Sequence, residues 1–182
     1  MTNRLNDPLL ATGRVAALVL QGLSALAGGI FGLITLMVIL DSVGILPDFF
    51  EGSDGPTVLM FPLPGLGLCL VLALLFAALF LFFGRLRAFI GTVGEGDPFI
   101  PENARRLNMM AWLVLAVLVL AKTVGAFRDY LAGLALQVEG SAFPVYFGRE
   151  DIVGILTVII LFTLARSFRH GAAMRDDLEG TV

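Results

Sequence analysis

Apolar residues fall along the chain in four runs separated by short polar segments. The first, Val15–Leu40, has Gln21, Ser24 and Thr35 as its polar interruptions. The second, about Val58–Phe83, has Pro62 and Pro64 marking its entry, where a missing backbone N–H costs little. Its stretch Leu66–Phe83 is almost wholly Leu, Val, Ala and Phe. A helix needs about 20 residues to cross ~30 Å of hydrocarbon, and both runs suffice. The third and fourth, Met109–Ala121 and Ile152–Ala165, fall well short of that length. Runs that short also occur in soluble cores. Here their flanks stay compatible with helix, and no proline lies between Glu102 and Phe143. The pattern predicts helices over about 15–40, 58–83, 103–127 and 150–174. Outer segments 41–57 and 128–149, an inner loop 84–102 and a tail 175–182 complete the chain. Ala25-Leu26-Ala27 would suit signal-peptide cleavage, but the apolar run continues far beyond it, to Leu40, so it reads as a spanning helix.

Composition supports a bilayer. Of 182 residues, 58% are hydrophobic and only 15% charged, and mean hydropathy is +0.92. Soluble domains carry about 25% charged residues. The expected fold is therefore all-α: an integral membrane four-helix bundle, residues 1–182 forming a single membrane domain. Basic residues set its orientation. Arg4, Arg14, Arg85, Arg87, Arg105, Arg106, Arg166, Arg169 and Arg175 make nine of the twelve Lys and Arg on one side. The segment 41–57 has none and carries Asp41, Asp48, Glu51 and Asp54. Both termini and the middle loop are thus expected in the cytoplasm.

Apolar burial alone does not pair helices in lipid, so close backbone contact and polar groups must. Ser24, Gly28 and Gly32 form a small-residue ridge on the first helix. It would suit either a dimer face or, more simply, packing within the chain. Gln21 could donate across helices. Lys122 lies nearly as many helical turns beyond Arg106 as Asp151 lies before Arg166. If those arginines share one interface, Lys122 and Asp151 share a depth, where an unpaired charge is costly. Lys122 is expected to pair with Glu150 or Asp151. Arg128, Asp129 and Arg149 complete an outer charged cluster. It is either a polar vestibule able to bind or sense a ligand, or a structural ion-pair network.

The inner loop reads Gly96-Asp97-Pro98-Phe99-Ile100-Pro101-Glu102-Asn103-Ala104-Arg105-Arg106-Leu107: a turn, then a helix start with Pro101 at the first position and Glu102 facing the helix dipole. The tail runs from Phe168 to Val182, with helix expected to about Met174. Asp176, Asp177 and Glu179 then crowd a helix C-terminus, where acids are disfavoured. These two stretches resemble the domain of unknown function 2975 family of small bacterial four-helix membrane proteins. Gly96, Pro98, Phe99, Glu102, Asn103 and Leu107 match the family's loop pattern. Phe168, Arg169, Gly171, Arg175, Glu179, Thr181 and Val182 match its tail pattern. Met174 and Asp177 are chemically similar replacements, whereas Leu178 and Gly180 depart. The resemblance implies no established activity. It does imply an association with small cytoplasmic helix-turn-helix regulators.

Candidate chemistry is sparse. His170 is the single histidine and Cys69 the single cysteine, too few for a standard zinc site or a disulfide within the chain. Lys122 is the only lysine, so no phosphate loop exists. Gly91–Gly96 is glycine-rich but follows no strand and reads as a flexible joint. A non-enzymatic protein without cofactors is expected, in the bacterial inner membrane. Its reading is a regulatory or sensory partner that holds a helix-turn-helix regulator, with no direct nucleic-acid contact. The expected docking residues are Pro98, Phe99, Glu102, Asn103, Arg105, Phe168, Arg169, Arg175, Asp177 and Glu179. The alternative is a small-solute transporter or pore subunit acting as a homo-oligomer.

Overall fold

In a computed structural model, residues 8–45, 62–94, 96, 98–137 and 143–179 are described. All regular structure among them is helical: α1 Pro8–Ser42, α2 Pro62–Gly94, α3 Pro101–Ala135 and α4 Arg149–Glu179. The parts of the sequence pattern at 46–61 and 138–142, with Asp97 and residues 180–182, lie outside the described residues. So do the side chains of Ser42, Pro62, Asp176, Leu178 and Glu179.

All four helices are long and apolar enough to span a membrane. Each is longer than its apolar run. α2 continues through Arg85 and Arg87 to Gly94, where an inner loop from residue 84 was expected. α3 continues to Ala135, and α4 runs past Met174 to Glu179. The physical reason is that hydropathy marks where a helix can lie in hydrocarbon, whereas arginine, alanine and glutamate are good helix formers in any solvent. Residues 91–94 accordingly form the last turn of α2 rather than a flexible joint.

The ends are set by local chemistry. α1 closes with Ile45 N–H donating to the Leu40 carbonyl (3.0 Å) and Gly44 N–H to the Asp41 carbonyl (2.9 Å). Gly44 has φ +73°, the left-handed residue this double cap requires. Gly96, at φ +89°, plays a similar part after α2, with its N–H on the Val93 carbonyl. At the start of α4, the Asp151 carboxylate accepts the Gly148 N–H at 2.6 Å, the return half of a capping box.

The chain divides into two compact units. The first comprises Met1–Leu23, Ala78–Ala116 and Gly148–Val182; the second comprises Ser24–Ala77 and Val117–Phe147. In the first, α1 and α2 run antiparallel with close approaches at Leu10/Gly94, Gly13/Ile90, Arg14/Gly91 and Gln21/Gly84. Trp112 of α3 meets Phe162 of α4 edge to face at 5.6 Å. In the second, Gly28 of α1 sits against Phe76 of α2, and Phe31 stacks on the same ring at 5.8 Å. Gly67 of α2 gives space to the Phe127 ring of α3. Of the small-residue ridge on α1, Gly28 therefore packs within the chain and Ser24 is buried. A Cβ at Gly32 would meet nothing within 4 Å among the described residues.

The pattern of burial is inverted relative to a water-soluble protein. Among the described residues, half of the buried apolar side chains are alanine. Large side chains face outward instead, among them Leu26 at 64% and Ile160 at 57% exposure. Only 11–17% of the most apolar stretch of each helix is buried by the protein itself. Small residues inside and large ones outside is the arrangement expected where the surrounding solvent is itself apolar.

Candidate functional site

The clearest constructed feature lies in the first unit, where α2 turns into α3. Asn103, third residue of α3, is completely buried. Its Nδ2 donates to the Pro98 carbonyl at 2.9 Å. Its Oδ1 accepts from Arg106 Nη1 at 3.0 Å and lies 2.9 Å from Thr92 Oγ1. The Thr92 hydroxyl is also 2.9 Å from the Phe89 carbonyl and 3.4 Å from the Ala88 carbonyl, so its one proton has three acceptors within reach. Arg106 Nη1 further donates to the Ala88 carbonyl at 3.3 Å. One amide thus ties the connecting turn, the end of α2 and the start of α3 together. Every buried side-chain nitrogen and oxygen among the described residues has a partner, as a buried network must to be stabilising.

Asn103 was expected on a docking surface. Full burial removes it from any surface and makes it a clamp within the turn. Arg106 and Thr92 join it, although the sequence pattern did not single them out for this role. Thr92 sat within the glycine-rich stretch, and its only advance signal was a hydroxyl at the end of an apolar helix.

The same turn is pinned to α4. Phe99 lies 5.2 Å from Phe168, centroid to centroid, and Phe168 is 5.7 Å from Phe89 of α2. A Cβ at Gly171 would fall 2.7 Å from Phe99 Cδ1, so only glycine there admits the ring at this distance. Of the loop and tail residues singled out earlier, the structure thus brings Phe99, Phe168 and Gly171 together. Pro98 is partly buried. Glu102, Arg105, Arg169, Arg175 and Asp177 are exposed. The Glu179 side chain lies outside the described residues.

The outer charged cluster falls in both units. In the second, Lys122 donates to the Tyr146 carbonyl at 2.8 Å. Arg128 bonds its own neighbour Asp129, Nη2 to Oδ1 at 2.8 Å, with Arg128 74% exposed. Phe143 stacks on Tyr130 at 4.2 Å and meets Phe127 edge to face at 5.3 Å. In the first unit, Arg149 and Glu150 are exposed, while Asp151 is buried as the cap of α4. A Cβ on Gly148 would collide with the Glu150 carboxylate.

A cavity of about 540 Å³ opens elsewhere in the first unit, lined by Arg14, Val15, Leu18, Arg87, Ala88, Gly91, Thr92 and Arg106. Three guanidinium groups from α1, α2 and α3 converge on it without a carboxylate in its lining.

No family model, curated protein or solved structure matches the chain. The fold and the site therefore define a class and no more: four helices long and apolar enough to span a membrane, with a buried polar clamp at one interhelical turn.

Proposed function

We propose that the chain is a multi-pass protein of the bacterial cytoplasmic membrane, with both termini inside. In this reading it is non-enzymatic and holds a small helix-turn-helix regulator on one cytoplasmic surface. The observation that carries this reading is the seat of Phe99 against Phe168 and Gly171. A flexible loop and a free tail would be two unrelated peptides. Here the turn before α3 is fixed to α4, so Glu102 and Arg105 are presented together with Arg169, Arg175 and Asp177. The resemblance to the 2975 family supports the choice of partner, and the nine basic residues on one side support the orientation. An acidic tail would compete for the basic DNA-facing side of such a regulator, since phosphate contacts supply much of that side's affinity.

The test is a pull-down from detergent against any helix-turn-helix protein encoded beside this gene. Full-length protein is expected to retain it, and a variant truncated after Arg169 to lose it. Equal recovery with both, or with neither, removes the tail from the mechanism.

A further inference from the structure

We propose that the cavity between Arg14, Arg87 and Arg106 is a binding site for a phosphate group. The lining residues come from three helices, and two of the arginines are positioned rather than merely nearby. Arg14 lies against the backbone of α2 because residue 91 is glycine: a Cβ there would fall 3.1 Å from Arg14 Nη2. Arg106 is aimed by the completely buried Asn103, whose Oδ1 accepts from Nη1 at 3.0 Å, and by the Ala88 carbonyl at 3.3 Å. Arg87 completes the set from the exposed face of α2. Among the described residues, none of the three is bonded to a carboxylate.

Arg14 and Arg87 are exposed and Arg106 is partly buried, so water offsets much of their mutual repulsion, and an anion placed among them lowers the remainder. Guanidinium selects which anion. Its planar fork donates two parallel N–H bonds to a phosphate. Eleven arginines against one lysine in this chain fit recognition by geometry as well as by charge. The Thr92 hydroxyl stands on the same wall. Val15, Leu18 and Ala88 form apolar sides, which suit the acyl chain of a phosphate-bearing lipid. The source of the phosphate is either an anionic lipid headgroup, as in basic pockets between membrane helices, or free phosphate. The lipid source rests on the membrane reading above; the free-phosphate source does not.

The experiment uses full-length protein in a neutral detergent. Native mass spectrometry counts bound phosphatidylglycerol, phosphatidic acid and phosphatidylcholine, and thermal unfolding is followed with inorganic phosphate and with chloride at equal ionic strength. We expect one molecule of either anionic lipid to bind per chain, and an Arg14→Gln/Arg87→Gln variant to bind it about tenfold more weakly or worse. Arg14→Lys, which keeps the charge and loses the fork, should fall between. Arg128→Gln, in the second unit, should leave binding unchanged. Neither replaced side chain belongs to the Asn103 clamp; should the double variant lose its helical circular dichroism, Arg87→Gln alone carries the test. Preference for both anionic lipids without stabilisation by phosphate identifies a lipid source. Stabilisation by phosphate beyond chloride, lost in the variant, identifies a soluble one, whatever becomes of the membrane reading. Binding that is equal in wild type and variant, or absent for every probe, overturns the site.

Discussion

Two connecting segments in this chain are held by different physics. The turn from α2 to α3, in the first unit, is fastened from inside. Asn103 is buried and bonded on both edges, and Phe99 is wedged against Phe168 over a glycine. The segment leading to α4, residues 143–147 in the second unit, is fastened from outside. It rests on a lysine-to-carbonyl hydrogen bond and on Phe143 lying over Tyr130, with Phe143, Val145, Tyr146 and Phe147 all exposed. A buried amide cannot exchange its partners for water, so its loss strands donors and acceptors. An exposed lysine contact can be replaced by water at little cost. The difference suits the roles proposed: a rigid turn to present a docking surface, and a tether that needs only to reach.

The sharpest way to break the comparison is to show that the two segments lie on the same side of the membrane. A reporter active only outside the cytoplasm should be active when inserted near Ser53 or Gly140 and silent when fused after Val182. The reverse result would overturn the orientation argument.

Within the protein, Asn103→Leu should have the largest effect. It removes three bonds and leaves Thr92 and Arg106 to find new ones, at a cost of about 2–4 kcal/mol. Unfolding in detergent followed by circular dichroism measures it. A loss below about 0.5 kcal/mol would show that the network does not hold the turn. Gly171→Leu comes next. It fills the space of the Phe99 ring, and overpacking of this kind costs about 1–3 kcal/mol. Its signature should be local: faster proteolysis of residues 95–100, unaccompanied by faster proteolysis of residues 138–148.

Lys122→Met should come next, at about 1 kcal/mol for the bond to the Tyr146 carbonyl taken by itself, and should raise proteolysis in residues 138–148. A larger loss than that from Asn103→Leu would invert the comparison and make the outer tether the stronger. Arg128→Ala should have the smallest effect, about 0–0.5 kcal/mol, because its partner is the adjacent Asp129 and Arg128 itself is largely solvated. A drop beyond ~1 kcal/mol in the same unfolding assay would assign Arg128 a structural role not visible in its contacts.

Much of the helical layout was legible in the sequence. Run length and the scarcity of charge mark four stretches able to span a bilayer, because the cost of burying a charge in hydrocarbon is a property of each residue and its near neighbours. The start of α3 was legible for the same local reason: Pro101 and Glu102 suit a first turn whatever surrounds it. Helix ends were less so, since α2 and α4 outrun their apolar cores and helix propensity continues after hydropathy stops. The inward direction of Asn103 was not legible. A polar residue three positions into a helix reads equally as a surface contact or a buried clamp, and only Pro98, Thr92 and Arg106 arriving around it decide between them. The same holds for Arg14, Arg87 and Arg106. Along the chain they are three arginines near the ends of apolar runs. Only the antiparallel pairing of α1 with α2, and the return of α3 through the Asn103 clamp, gather them around one cavity. Residue-level solvation acts locally and can be read in order, whereas convergence of distant side chains depends on which helix faces meet, and that is settled only by packing.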